Sequence, residues 1–201
     1  MIRDFEQKQR NRFIQITDIA ISKIRRTKIF GFTNEENDYI QKQHKRLLSI
    51  SKDMNNSGEV AILVDIIHWE TEVIIGEANR VDISSNAKAH MMMLSYPKNT
   101  ILVMHNHPST STFSGADFKM FCDNASIFVM TIVGNDGSIQ IMEKNTAFNG
   151  QAEKMNYHNL ALQYKNEGYT NNGTMAMKYI IKHPAEFNIL YKHGGKRNDR
   201  E

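Results

Sequence analysis

Residues 101–117 read ILVMHNHPSTSTFSGAD, and this stretch decides the fold and the site that we expect. The apolar run at residues 101–104 predicts a buried strand, and two histidines at alternate positions, His105 and His107, follow it directly. Side chains two residues apart in a strand point to the same side, so both imidazoles can reach one point in space. After a short polar loop, Ser114 and Asp117 have the spacing of a helix N-terminus that Ser114 caps. The Asp117 carboxylate, in the first turn of that helix, can face back towards the end of the strand.

Two neutral imidazoles and one carboxylate form a ligand set that zinc uses in catalytic sites, where the fourth position holds water. The pKa of that water falls to about 7 on the ion, so hydroxide becomes available near neutral pH. We therefore expect His105, His107 and Asp117 to bind metal, with Zn²⁺ as the cofactor. The single cysteine, Cys122, excludes an intramolecular disulfide and a cysteine-based zinc site.

The same residues resemble the signature of the JAMM zinc metallopeptidases, the MPN-plus or JAB-domain family, in which a glutamate precedes His-x-His-Pro and Ser-x-x-Asp. The resemblance covers about residues 55 to 145, and the matching residues are Glu59, His105, His107, Pro108, Ser114 and Asp117. Five residues separate Pro108 from Ser114, one fewer than in the eukaryotic ubiquitin isopeptidases and RadC-like proteins. This short form resembles JAB domains of phage and mobile-element proteins.

The resemblance implies zinc-dependent hydrolysis of a peptide or isopeptide bond in a protein or peptide substrate. In that reaction Glu59 acts as general base and then as general acid, and Ser114 donates a hydrogen bond to the oxyanion. Spacing alone does not exclude Glu70, Glu72 or Glu77 as the catalytic acid. We expect Glu59 because the family's glutamate follows the first core helix and opens the next strand.

The order of strands and helices predicts an α/β fold, a three-layer sandwich around a mixed sheet with flanking helices. The family resemblance implies the same class, in its cytidine-deaminase-like (JAB/MPN) form. We expect a helical segment at residues 1–54, the metallopeptidase domain at 55–145, and a helical segment with a tail at 146–201. Within these segments, residues 5–29 have the pattern of one amphipathic helix, and the chain is expected to fray from Lys192 onwards.

Composition narrows the class of protein further. Charged residues make up 23% of the chain and hydrophobic residues 40%, as in ordinary soluble proteins. There is no apolar run of the roughly 20 residues that cross a bilayer and no signal-peptide core, so we expect a cytoplasmic protein with no membrane partner.

The alternative functions are a RadC-like DNA-associated protein and a non-catalytic MPN scaffold. The first depends on basic side chains in residues 5–29, but a net charge of +3 is too small to indicate nucleic acid binding by itself. A solvated helix face explains these charges more simply. The scaffold ranks last because such proteins usually lack the metal ligands, whereas this chain keeps them all. The substrate and the oligomeric state stay open.

Overall fold

A mixed sheet of six strands forms the centre of the protein in a computed structural model that describes residues 12–194. The strands are β1 (Val60–Asp65), β2 (Thr71–Ile75), β3 (Ile101–His107), β4 (Ile127–Gly134), β5 (Ile139–Lys144) and β6 (Ile189–Gly194). Their order is β2-β1-β3-β4-β5-β6; β3 and β4 run parallel, and the other neighbours are antiparallel. The predicted α/β class and mixed sheet are confirmed.

Helices cover both faces of this sheet. They are α1 (Asp18–Lys23), α2 (Asn34–Met54), α3 (Ala87–Ser95), α4 (Gly115–Asp123), α5 (Gly150–Asn166) and α6 (Asn172–Lys182), with short 3₁₀ turns at Ile83–Ser85 and Pro184–Phe187. One hydrophobic core lies between the sheet and α3 to α6, and a second lies between the sheet and α2. This arrangement is compatible with the predicted three-layer sandwich.

Strands β1 and β3 have buried side chains on both faces, which explains their continuous apolar sequence. In β1, Ala61 and Leu63 pack in the core beside α4, whereas Ile62 and Val64 pack in the core beside α2. Alternation along β3 likewise places Val103 on the α4 side and Met104 on the α2 side. The alternation continues through the remaining residues of β3, so every second side chain there faces α4.

Helix α2 begins at a capping box. Thr33 Oγ1 accepts a hydrogen bond from the Glu36 backbone N–H, and the Glu36 carboxylate accepts one from the Thr33 N–H. Ile40, Leu47 and Leu48 then recur at helical spacing and are fully buried against the sheet. The helix ends at Met54, immediately before the loop that carries the chain into β1.

The predicted amphipathic helix at residues 5–29 is wrong for its described part, residues 12–29. Only Asp18–Lys23 is helical there, with Thr17 as its N-cap. Upstream, the Ile14 N–H donates to the Pro108 carbonyl at 2.6 Å, and the Ile16 N–H donates to Ser57 Oγ at 3.0 Å. These long-range hydrogen bonds use backbone donors that a helix would need, so residues 12–16 run as an irregular segment. The rest of the predicted helix, residues 5–11, lies outside the described residues.

The C-terminal segment is not purely helical, and the prediction of fraying from Lys192 is wrong up to Gly194. Residues Ile189–Gly194 form β6, which pairs antiparallel with the whole of β5. The Lys192 ammonium donates to the Lys28 carbonyl and to a Glu143 carboxylate oxygen, at 2.8 and 2.7 Å. Pairing with a distant strand edge, which a local pattern does not encode, holds this segment in place.

None of the helices in residues 12–194 has the length and hydropathy that a membrane crossing requires.

Candidate metal centre

Two histidine side chains converge at the end of β3. Its residues His105 and His107 pair with Ile132 and Gly134 of β4, so both remain inside the regular strand. Their Nε2 atoms lie 3.0 Å apart, and both rings are more than nine-tenths buried. Two unprotonated imidazole nitrogens at this separation would repel each other, so a proton or a cation is needed between them.

Helix α4 supplies the carboxylate. Ser114 caps the helix: its Oγ accepts from the Asp117 backbone N–H at 3.2 Å, while the Ser114 N–H donates to Asp117 Oδ2 at 2.6 Å. The same carboxylate faces both imidazoles, with Oδ1 3.2 Å from His105 Nε2 and Oδ2 3.8 Å from His107 Nε2. The capping interaction that starts the helix therefore also orients the third predicted ligand.

These three side chains have the geometry of a divalent metal site. One donor atom from each lies within 4.8 Å of the others. Ligand atoms around a tetrahedral ion at 2.0–2.1 Å lie about 3.3 Å apart. The two Nε2 atoms are 3.0 Å apart, and they lie 3.2 and 3.8 Å from different oxygens of Asp117, Oδ1 and Oδ2. The buried cluster of His105, His107 and Asp117 could thus hold a metal ion.

The charges of the cluster favour the deprotonated forms of His107 and Asp117 and the protonated form of His105. Burial lowers the pKa of His107 to about 4, and the positive charge of His105 adds to this shift. Burial by itself would raise the pKa of Asp117, but the His105 charge and hydrogen bond, with smaller contributions from His107 and Ser114, outweigh it and hold that pKa well below its usual range. For His105, the attraction of Asp117 and Glu59 outweighs burial and raises the pKa.

Glu59 lies beside this cluster. It immediately precedes β1, and two backbone hydrogen bonds with Glu77 and Gly76, at 2.8 and 2.9 Å, hold its backbone next to the end of β2. Burial raises the pKa of the Glu59 carboxyl, and the negative charge of Asp117 contributes, whereas the positive charge of His105 and a hydrogen bond from the Val81 backbone oppose the shift. A half-buried carboxyl with a raised pKa holds a proton more readily than an exposed one, which suits a group that transfers protons.

A single cleft of about 900 Å³ brings the predicted site residues together. Its lining includes all five predicted site residues, namely Glu59, His105, His107, Ser114 and Asp117. The rival glutamates Glu70, Glu72 and Glu77 do not line it. Glu72 instead accepts a hydrogen bond from Asn86 and pairs with Lys88.

Ser114 is exposed at the mouth of the cleft. Its Oγ already accepts the hydrogen bond from the Asp117 N–H. A serine hydroxyl has one hydrogen to donate in addition to its lone pairs. That hydrogen can point into the cleft, towards an oxygen that a substrate brings beside the metal site.

An amide network that sequence reasoning missed connects the glutamate to the histidines. Asn106, between the two histidines, is fully buried on the opposite face of β3. Its Oδ1 accepts from the Val60 N–H at 2.7 Å, and its Nδ2 donates to the Gly58 carbonyl at 3.0 Å. The residues on either side of Glu59 are thus bonded to the residue between the two histidines. The sequence signal that could have predicted this network is the polar residue Asn106 at a core-facing position of an otherwise apolar strand.

The irregular N-terminal segment also contacts the site, which sequence reasoning did not predict. Besides its bond to Pro108, Ile14 accepts a hydrogen bond from Asn135 Nδ2 at 2.8 Å. The neighbouring Phe13 side chain is 40% exposed and lines the cleft. Phe13 therefore forms part of the cleft wall, and the hydrogen bonds of Ile14 hold the segment beside it.

Comparison of the chain with family models, with curated proteins and with solved structures found no match. The functional argument consequently depends on the residues and geometry of the cleft.

Proposed function

We propose that this protein is a zinc-dependent hydrolase that cleaves a peptide or isopeptide bond, as JAMM-type metallopeptidases do. The observation that carries the proposal is the convergence of His105, His107 and Asp117 in one cleft, with the Glu59 carboxyl beside them. The type and chain order of these residues match the JAMM signature. The six-stranded mixed sheet with helices on both faces supports the further proposal of a cytidine-deaminase-like JAB fold.

The donor chemistry supports zinc as the metal. Two imidazoles and one carboxylate suit zinc, and three protein ligands leave a position open for water or substrate. When bound by His105, His107 and Asp117, zinc would act as a Lewis acid and make water acidic enough to attack near neutral pH. The low pKa of His107 and of Asp117 keeps both side chains in their ligand forms at that pH.

Two residues of the protein act directly in the proposed reaction. Glu59 accepts a proton from the attacking water as general base, then donates it to the nitrogen of the leaving amine as general acid. One carboxyl can perform both transfers, because the proton that it accepts in the first is the proton that it donates in the second. Ser114 donates its hydroxyl hydrogen to the carbonyl oxygen as negative charge develops there, and loss of one such donor typically costs about 3 kcal/mol of transition-state stabilisation.

The length of the loop after the histidines bears on the substrate. This loop has the short form that resembles phage and mobile-element JAB domains. We therefore propose that the substrate is a protein or peptide of a phage or mobile element. A ubiquitin-like protein is one member of the substrate class.

The direct test compares the unsubstituted protein with Glu59→Gln on a panel of peptide and isopeptide substrates. We expect stoichiometric zinc in both proteins, and a rate that falls by about 10²- to 10⁴-fold or more in the variant, since general acid–base catalysis contributes on this scale. Glu70→Gln is the matched control, because Glu70 is exposed and does not line the cleft. Protein that binds no zinc, or a Glu59→Gln variant that keeps full activity, would contradict the proposal.

The DNA-associated alternative gains no support from residues 12–29. The helix there has six residues, and Arg26, one of its predicted basic contacts, bonds with Asp38 and Asn34 within the protein. We also rank the non-catalytic scaffold below the hydrolase as a candidate function, because the three predicted metal ligands converge in one cleft.

A further inference from the structure

The two candidate histidine ligands differ in what supports their second ring nitrogen. His107 Nδ1 lies 2.9 Å from Ser111 Oγ and 3.4 Å from the Ser111 carbonyl oxygen. His105 Nδ1 is buried and has no hydrogen-bond partner among the described residues. When Nδ1–H donates to an oxygen, the lone pair is left on Nε2, which is the atom that faces the metal position. The Ser111 carbonyl can only accept, so its contact favours the Nδ1–H tautomer, and the two contacts with Ser111 together orient the His107 ring.

Ser111 lies in the irregular loop between β3 and α4, so its own position needs support. Within the loop, Ser109 Oγ donates to Ser111 Oγ at 2.9 Å and accepts from the Ser111 N–H at 3.2 Å. From outside the loop, Gln140 Nε2 donates to the Ser111 carbonyl at 3.2 Å. Gln140 belongs to β5 and is 3% exposed, so this contact anchors the loop to the rigid sheet.

Gln140 is held in turn by Tyr191, from β6. The Tyr191 hydroxyl donates to Gln140 Oε1 at 2.9 Å, which leaves the amide nitrogen to face Ser111. The Tyr191 ring packs edge-on against Phe113, with the ring centroids 6.4 Å apart. One continuous path of hydrogen bonds thus runs from the C-terminal strand through β5 and the loop to a predicted metal ligand.

We propose that Gln140 and Tyr191 are positioning residues for the metal centre, which act through Ser111 to hold the His107 ring in its ligating orientation. This assigns a role to the C-terminal strand, where sequence reasoning found no chemistry. The inference rests on the metal centre of the proposed function, but not on the hydrolytic step. Groups that hydrogen-bond to metal-bound histidines typically contribute about 10- to 100-fold to metal affinity, so the effect is measurable without a substrate.

The test measures zinc affinity of the full chain by competition with a chromogenic chelator. Gln140→Met removes both hydrogen bonds with little change of shape, and Tyr191→Phe removes only the hydroxyl. We expect zinc binding to weaken by about 10-fold or more in Gln140→Met, as is typical when the support of a metal-bound histidine is lost. In Tyr191→Phe we expect a smaller factor, because the amide can still reach Ser111. The matched controls are Gln163→Met and Tyr179→Phe, whose side chains bond to Glu167 and Glu186, away from the cleft.

A second readout separates positioning from general stability. Nitrogen-15 spectra of the imidazoles should show His107 as the Nδ1–H tautomer in the unsubstituted protein and a mixture of tautomers in Gln140→Met. Should Gln140→Met fail to fold, Tyr191→Phe carries the test alone. Folded variants with unchanged zinc affinity and an unchanged tautomer would overturn the inference, even where their melting temperature falls. Failure of the unsubstituted protein to bind zinc would instead refute the proposed function.

Discussion

Replacement of Asn106 by leucine tests whether the amide between the two histidines holds the candidate site together. The Asn106 side chain is fully buried and makes four hydrogen bonds. Its Oδ1 accepts from the Val60 N–H, and its Nδ2 donates to the Gly58 carbonyl, the Asn135 side chain and Ser51 Oγ. Leucine has a similar volume but can form none of these bonds, so buried partners would be left unsatisfied.

The magnitude follows from these four bonds. The amide has two N–H hydrogens, so two of its three donated bonds share one hydrogen and together count as about one bond. At a net contribution of about 1 kcal/mol for each full hydrogen bond, Asn106→Leu should lose about 3 kcal/mol of unfolding free energy. Domains have about 5 to 15 kcal/mol in total, so the loss would be a large share of the stability. The segment that carries Glu59 would also lose the side-chain hydrogen bonds of Gly58 and Val60 to β3, while the backbone pairing of β1 with β3 stays.

Guanidinium chloride unfolding measures this loss by linear extrapolation to water. Asn159→Leu is the control, because Asn159 is exposed on α5 and surface substitutions usually change stability by about 0.5 kcal/mol or less. A loss below about 1 kcal/mol in Asn106→Leu would refute the reasoning, since even one of the four bonds typically contributes that much.

Three further outcomes are expected. Zinc at about 100 times its dissociation constant should stabilise the protein by about 2.7 kcal/mol, which raises the melting temperature by roughly 5 to 10 °C in scanning calorimetry. Asp117→Asn should remove most of this shift, and an equal shift in the variant would exclude the carboxylate as a ligand. Thr33→Ala should lower the free energy of unfolding in denaturant by about 1 kcal/mol, because the cap of α2 is lost. Thr174→Ala, at an exposed helical position, should lower it by less. Burial lowers the pKa of Lys144 from 10.5 to about 8, so above pH 8 the unfolded state binds more protons than the folded state and stability rises with pH. From pH 8 to 9 this should add about 1 kcal/mol in the unsubstituted protein but not in Lys144→Met, and equal slopes in both would contradict the assignment.

The candidate ligands could be predicted because their geometry is local. His105 and His107 share a face as a consequence of strand alternation, and Asp117 faces back as a consequence of a helix cap three residues earlier. The helix at Asn34–Met54 was predictable for the same reason, since its cap and its apolar spacing lie within one segment.

Residues 12–16 could not be predicted from their own pattern. Their spacing of apolar and basic residues suits a helix, but their backbone donors bond to Pro108 and Ser57. Strand β6 was not predicted for a related reason: it forms because its backbone pairs with β5 along the whole length of that strand. In both places a distant partner outweighs local preference.

The amino-acid sequence alone predicts the class of fold and the chemistry of the candidate ligands, because strand alternation, helix spacing and capping act over a few residues. The position of Glu59 beside the histidines needed the folded chain. It depends on the register of β1 against β3, which opposes Ala61 to His105 across 44 residues of sequence, and on the buried Asn106 that bonds both neighbours of Glu59. Hydrogen bonds between segments so far apart form only once the sheet has assembled, so no local pattern contains them.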